Sequence, residues 1–143
     1  LLYLIINNLN FFQKRENLFD NLIFISDQGN KVLSYLSEEK ILGGVLFSSA
    51  HKNTAETLQF IKDIEKNFNK VIWVTMAGMS NALSGVVAAN TRFPTIAHPI
   101  FNNQTEFLMN ISSTLQMPSK VPSMTVLSPG NVVGACQKIF NMM

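Results

Sequence analysis

One cysteine, Cys136, stands among 143 residues. A single thiol excludes an internal disulfide framework and fits a reducing compartment, so a cytoplasmic chain is expected. Charge is also scarce. Only 14% of residues are charged, and 11 basic against 9 acidic side chains leave +2. So weak a balance, with no basic stripe interleaved with aromatics, points away from a nucleic-acid partner. No apolar run reaches the roughly 20 residues of a membrane-spanning helix; residues 1–6 are apolar, but Asn7, Asn8 and Asn10 interrupt them. That segment also lacks the basic start and small-residue cleavage site of a secretory signal. No metal is indicated, because His51 and His98 have no Cys or carboxylate at ligand spacing. What is plentiful is apolar: 47% of the residues are hydrophobic, the composition of a globular domain rather than a disordered chain.

No repeat, low-complexity tract or linker divides the sequence, and its length suits one domain. The chain opens on Leu1 rather than Met, so it is expected to begin inside a longer reading frame. Residues 1–17 receive no assignment, being either an added helix or the end of a preceding segment; the domain is placed at residues 18–143. Within it, short apolar runs alternate with helical periodicity, the pattern of parallel strands covered on both faces. Strands are expected at Asn21–Ile25, Gly44–Phe47, Lys70–Met76, Thr95–His98 and Ser123–Leu127. Asp27–Glu39 should form the first crossover helix. A second should run from Asn53 to Phe68, with Asn53 as cap and Glu56 three residues on, a variant of the capping box. Ser80 should cap a helix holding Leu83, Val86 and Val87. Phe107, Leu108, Ile111 and Leu115 give another stripe, and Val132, Val133, Cys136, Ile139 and Phe140 the last. Cys136 thus reads as core. Crossovers of this kind are right-handed almost without exception. The expected architecture is therefore α/β, a three-layer αβα sandwich with a parallel sheet, flavodoxin-like.

Two segments stand out from this frame. Ser49-Ala50-His51-Lys52 follows the second expected strand and sets an imidazole beside an ammonium. Ala77-Gly78-Met79-Ser80-Asn81-Ala82-Leu83-Ser84-Gly85 follows the third and offers hydroxyl and amide groups at a helix start. Both should lie at the carboxyl end of a parallel sheet, where open α/β folds bind ligands. Plainer readings exist for each residue. His51 could hydrogen-bond at a strand end, Lys52 could be a solvated side chain, and Ser80 an ordinary helix cap. Ser26-Asp27 could be a turn before the first helix. His98, before Pro99, reads first as structural, and Gly85 as room for helix–sheet packing.

These motifs, in this order, resemble the phosphoribosylaminoimidazole carboxylases of purine biosynthesis, over roughly residues 20–142. Ser49–Lys52 has the form of the branch that uses carbon dioxide directly, found in animal bifunctional enzymes and some bacteria. The mutase branch usually carries Arg after the His. Ala77–Leu83 is similar to that first branch's A-G-R-S-N-x-L, and lacks the second His of the mutase loop. Asn90-Thr91, Phe93-Pro94, Ser112–Leu115 with Met117-Pro118, and Thr125–Pro129 follow in the family's order. The chain also departs from the pattern. The family's Gly-Ser-x-Ser-Asp phosphate cradle is here Ile23-Phe24-Ile25-Ser26-Asp27, Met79 stands for the expected Arg, and His98-Pro99 for Cys-Pro.

The resemblance implies carboxylation of aminoimidazole ribonucleotide with carbon dioxide, without metal or organic cofactor. It further implies a homo-oligomer, an octamer in the family, and no membrane partner. His51 would be the acid/base group, since imidazole exchanges a proton near neutral pH, with Ser49 orienting it or the substrate. Lys52 would meet the substrate phosphate or the new carboxylate. Ala50, Ala77, Gly78, Ser80 and Asn81 would form the carbon dioxide and base pocket, and Ser26 and Asp27 would contact ribose or phosphate. Two alternatives stay open beside this reading: the mutase, and a catalytically silent homologue kept as a binding or assembly module. A flavin-binding protein is a poorer fit, because Ser26–Asn30 is no Ser/Thr-rich phosphate loop.

Overall fold

A computed structural model of the chain describes residues 2–6, 27–39 and 41–143. Along them run β1 (Leu2–Ile6), α1 (Asp27–Glu38), β2 (Leu42–Leu46), α2 (Thr54–Asn67) and β3 (Val71–Ala77). Then come α3 (Leu83–Asn90), β4 (Thr95–Pro99), α4 (Gln104–Leu115), β5 (Met124–Thr125) and α5 (Pro129–Met142). The strands form one sheet in the order β2-β1-β3-β4-β5. Strands β3, β4 and β5 pair in parallel, Trp73 opposite Thr95 and Ile96 opposite Met124. β1 runs antiparallel to both β2 and β3, so β2 and β3 point the same way.

Four strands thus share one direction, and both crossover loops fall at one end. The exception is the slot between β2 and β3. The expected first strand, Asn21–Ile25, lies outside the described residues. The slot is filled by Leu2–Ile6, part of the stretch to which the sequence reading gave no assignment. An apolar pentapeptide suits a central slot, and an antiparallel neighbour satisfies the backbone ladder as well as a parallel one.

Burial on both faces explains the run of apolar residues in β3, interrupted only by the buried Thr75. Ile72, Val74 and Met76 join Val32 and Leu36 of α1, Ile96 of β4, and Val132, Val133 and Cys136 of α5. On the other face Val71 and Trp73 pack with Ile61 and Ile64 of α2 and Leu83 and Val87 of α3. These are the three layers of a flavodoxin-like sandwich. Cys136 is buried as expected, and desolvation pushes its thiol up to about 12. It is an inert core group.

Helix starts depart from the sequence reading. Asn53 precedes α2 but makes no side-chain cap bond. Thr57 instead donates to the Asn53 carbonyl at 3.0 Å and shares a hydrogen bond with Ser48. α3 begins at Leu83, not at Ser80, because the backbone turns left-handed at Met79 (φ 56°) and the helix starts only after that reversal. In α4 the buried positions are Asn110 and Thr114, whereas Leu108 and Leu115 of the expected core stripe face outward. Gly85 does permit close packing, but against Met117, whose Sδ would lie 3.2 Å from an added Cβ. Among the described residues no helix is long and apolar enough to cross a membrane.

Candidate active site

Where β2 and β3 end, the chain turns outward on the same edge of the sheet. The two turns enclose a cavity of about 300 Å³. Ser49, Ala50 and His51 form one wall; Ala77, Gly78 and Ser80 form the other. Six of the expected site residues therefore meet in one place, although 26 or more positions separate the two segments. Hydrogen bonds shape each wall.

The first wall is a tight turn. Lys52 and Asn53 donate backbone N–H groups to the Ser49 carbonyl at 3.2 and 2.8 Å. The Lys52 N–H also reaches Ser49 Oγ at 3.3 Å. Ser49 Oγ is thus an acceptor there, and its own hydroxyl proton is left for another partner. Thr54 ties its hydroxyl to the Ala50 carbonyl, which fixes the turn to the first residues of α2. His51 projects from this turn and is exposed. Lys52 is exposed too, but its side chain is not on the cavity wall.

The second wall is held from below. Asn81, expected to face substrate, is 2% exposed and turns inward. Its N–H donates to Ser113 Oγ at 3.0 Å, its amide nitrogen to Thr114 Oγ1 at 2.9 Å, and its Oδ1 accepts from the Ser84 N–H at 3.3 Å. Asn81 thus does the capping that sequence assigned to Ser80, and its role is to position the loop. At Gly78 an added Cβ would stand 3.4 Å from the Ile100 carbonyl, an ordinary contact. Met79, 73% exposed, holds the left-handed turn without being glycine. Strain of this kind gathers at functional loops. Ser26 lies outside the described residues, as do Ile23 and Phe24; Asp27 is the first residue of α1.

Asn110 does not line the cavity but positions its rim, and sequence reasoning missed it. It is fully buried, and its amide donates to the Ala77 carbonyl at 2.8 Å and the Ile100 carbonyl at 2.9 Å. Those carbonyls lie at the ends of β3 and β4, so one side chain clamps the two strands where the cavity begins. Its neighbours along that face of α4 are Glu106, Phe107, Ser113 and Thr114, so no apolar stripe marked it in the sequence.

His98 occupies the same end of the sheet as a core group. Its Nδ1 lies 2.8 Å from the Val126 carbonyl, and as that carbonyl only accepts, Nδ1 carries the proton. Nε2 is buried without a partner among the described residues. Desolvation by burial holds this imidazole below its ordinary value, more than the Val126 bond raises it. The unfolded chain therefore takes up a proton first as pH falls. Stability is fully present above pH 6.5 and declines below it, with a slope of at most about 1.4 kcal/mol per pH unit. Denaturant melts at pH 7.5 and 5.5 should show this loss, and His98→Asn should flatten it. An equal slope in the variant would assign the loss elsewhere.

Among the described residues no group of three His, Cys, Asp or Glu side chains converges. The chemistry on offer is an imidazole, hydroxyls and backbone N–H groups around a small cavity. That set can bind an anion-bearing small molecule and move a proton on it.

Comparison with known proteins bears on the family and the fold. The family profile described as AIR carboxylase matches residues 26–142. A phosphoribosylaminoimidazole carboxylase of Archaeoglobus fulgidus is 41% identical over 114 residues, 80% of this chain and 62% of that protein. One of Treponema denticola is 33% identical over 119 residues, 82% of this chain and 74% of its own. The human bifunctional phosphoribosylaminoimidazole carboxylase/phosphoribosylaminoimidazole succinocarboxamide synthetase is 33% identical over 95 residues, and only 22% of its length is spanned. In structure, the crystallised Treponema denticola PurE superposes with a TM-score of 0.73 at 30% identity, covering 80% of this chain and 72% of that one.

Proposed function

The chain belongs to the AIR carboxylase family, and on that premise we propose that it carboxylates aminoimidazole ribonucleotide with carbon dioxide, in purine biosynthesis. One observation carries the reading: Ser49–His51 and Ala77–Ser80 share one cavity at the carboxyl edge of the sheet. In this reaction the electron-rich ring carbon attacks carbon dioxide and a C–C bond forms. The tetrahedral carbon then loses its proton, and His51 accepts it. Ser49 and Ser80 hydroxyls and the Gly78 backbone hold the ring and the carbon dioxide. Lys52, one turn out, meets phosphate or carboxylate as substrate enters, with Ser26 and Asp27 on the ribose phosphate.

Carbon dioxide as donor, rather than transfer of a carboxyl from nitrogen, is favoured by Lys52 and by a 77–83 loop without histidine. His51 is exposed, so exclusion of water falls to the substrate or to a second copy of the chain. Self-assembly is supported by Leu108, Met109 and Leu115, which stand exposed along α4. A silent homologue is the second reading. Met79, at the expected arginine, favours it by leaving the loop without a fixed charge.

The test is decarboxylation of carboxyaminoimidazole ribonucleotide by the purified chain, the reverse reaction, followed by ring absorbance. Turnover is expected, with Met79→Arg raising kcat/KM. Carboxylation from bicarbonate-supplied carbon dioxide, with no conversion of the N-carboxylated isomer, would support the carbon-dioxide branch. A folded, assembled chain with no turnover in either assay would favour the silent homologue.

A further inference from the structure

A second cavity, of about 650 Å³, lies at the opposite end of the sheet, where α3 returns into β4 and the chain after α4 enters β5. Two cations, Arg92 and Lys120, stand on its walls, and its described lining residues include no carboxylate. Phe93, Pro94 and Pro122 supply apolar surface beside them. The volume suits a small organic molecule rather than a bare ion.

The polar groups of this cavity are unusual in being unspent. Thr95 is 2% exposed and its Oγ1 has no partner among the described residues; Ser123 Oγ is likewise buried and unpartnered. Buried hydroxyls are nearly always bonded, so two orphans in residues that line one cavity, each oxygen closed off from it in the free chain, call for a reason. Valine or alanine would fill these positions without leaving a polar atom unbonded. Lys120 adds a third oddity. It sits in the left-handed region (φ 66°), which favours glycine, and among the described residues it makes no ion pair. Arg92 by contrast is set in place. Its Nε lies 3.6 Å from Glu65 Oε2, its Nη2 donates to the Glu65 carbonyl at 3.1 Å, and its guanidinium covers the Phe93 ring at 4.8 Å.

We infer that this second cavity binds a phosphate monoester with an aromatic or apolar body. The phosphate lies between Arg92 and Lys120; Thr95 and Ser123 rotate their buried hydroxyls out to donate to it, while the body rests on Phe93 and the two prolines. A phosphate has the several acceptor oxygens that two cationic side chains, one of them already paired with Glu65, and two donor hydroxyls match. A carboxylate would leave donors unused. This site is separate from the cavity of His51 and owes nothing to the chemistry proposed there.

Titration calorimetry with phenyl phosphate as probe tests it, with benzoate and inorganic phosphate as comparisons. Phenyl phosphate should bind more tightly than either. Lys120→Gln and Arg92→Gln, both at exposed side chains, should each weaken it about tenfold. His51→Asn should leave that affinity unchanged. Thr95→Val should raise the Tm of the free chain, because an unbonded hydroxyl is gone, and still weaken the probe several-fold. No merely structural role predicts that pair of effects. If Thr95→Val fails to fold, the two charge variants decide alone. Absence of binding at millimolar probe, affinities unmoved by either charge variant, or a loss confined to His51→Asn would each overturn the inference.

Discussion

Asn110→Leu is expected to melt roughly 10 °C below the parent chain, a loss of about 3 kcal/mol. The substituted side chain has similar bulk, so the cost is in polar groups rather than volume. Ile100's carbonyl loses its hydrogen-bond donor, Ala77's keeps only the Ile100 N–H at 3.0 Å, and Thr114 loses the Oδ1 it reaches at 3.1 Å. Each buried group left unbonded costs about 1–3 kcal/mol. The same change frees the ends of β3 and β4 from each other, directly beneath Gly78. Turnover, where the chain shows it, should therefore fall along with the Tm, and it should fall at temperatures well below the melt. Calorimetry on Asn110→Leu and on the exposed neighbour Met109→Leu checks this. A Tm drop of only one or two degrees in the first would show that water or backbone movement takes over the clamp.

The contrast between Asn110 and the loops shows what the sequence could carry. β3 was legible because it is a largely apolar run buried on both faces, and such a run needs no knowledge of its neighbours; β4 is shorter and carries the buried polar Thr95 and His98. The two site loops were legible for a related reason. Each follows a strand closely, β2 or β3, so the shared polarity of those strands places Ser49–His51 and Ala77–Ser80 on one edge. Asn110 and Asn81 were not legible, because their meaning lies in partners 33 positions away on another element. Periodicity also fixed α4 as a helix without fixing which side faces the core. Its apolar stripe gave Leu108 and Leu115 to the interior, yet the buried side is the one whose polar groups, Asn110 and Thr114, reach the strand ends. β1 was hidden for a third reason. Five apolar residues can form a strand anywhere, and pairing register is decided by the slot that the other strands leave open.

His51→Asn should lower decarboxylation of carboxyaminoimidazole ribonucleotide by about 10²–10⁴-fold, the usual worth of a positioned acid or base. Its melting curve should stay within about 0.5 kcal/mol of the parent's, because the imidazole is exposed and the turn is held by the Ser49 carbonyl, not by its side chain. Asparagine keeps the approximate size and can still hydrogen-bond, but it cannot exchange a proton. Binding and chemistry are thereby separated. KM should move little while kcat collapses, the pattern of an interaction used only in the transition state. Lys52→Gln should behave in the opposite sense, raising KM with a small change in kcat, since its side chain stands off the cavity wall. The residual rate in His51→Asn then measures what the cavity does by holding two reactants together, an effect worth up to about 7–11 kcal/mol. Unchanged kcat in a folded His51→Asn chain would remove this residue from the proton transfer. The cavity's remaining titratable candidates would then be serine hydroxyls, far weaker bases than imidazole, and the proton would have to leave directly to water.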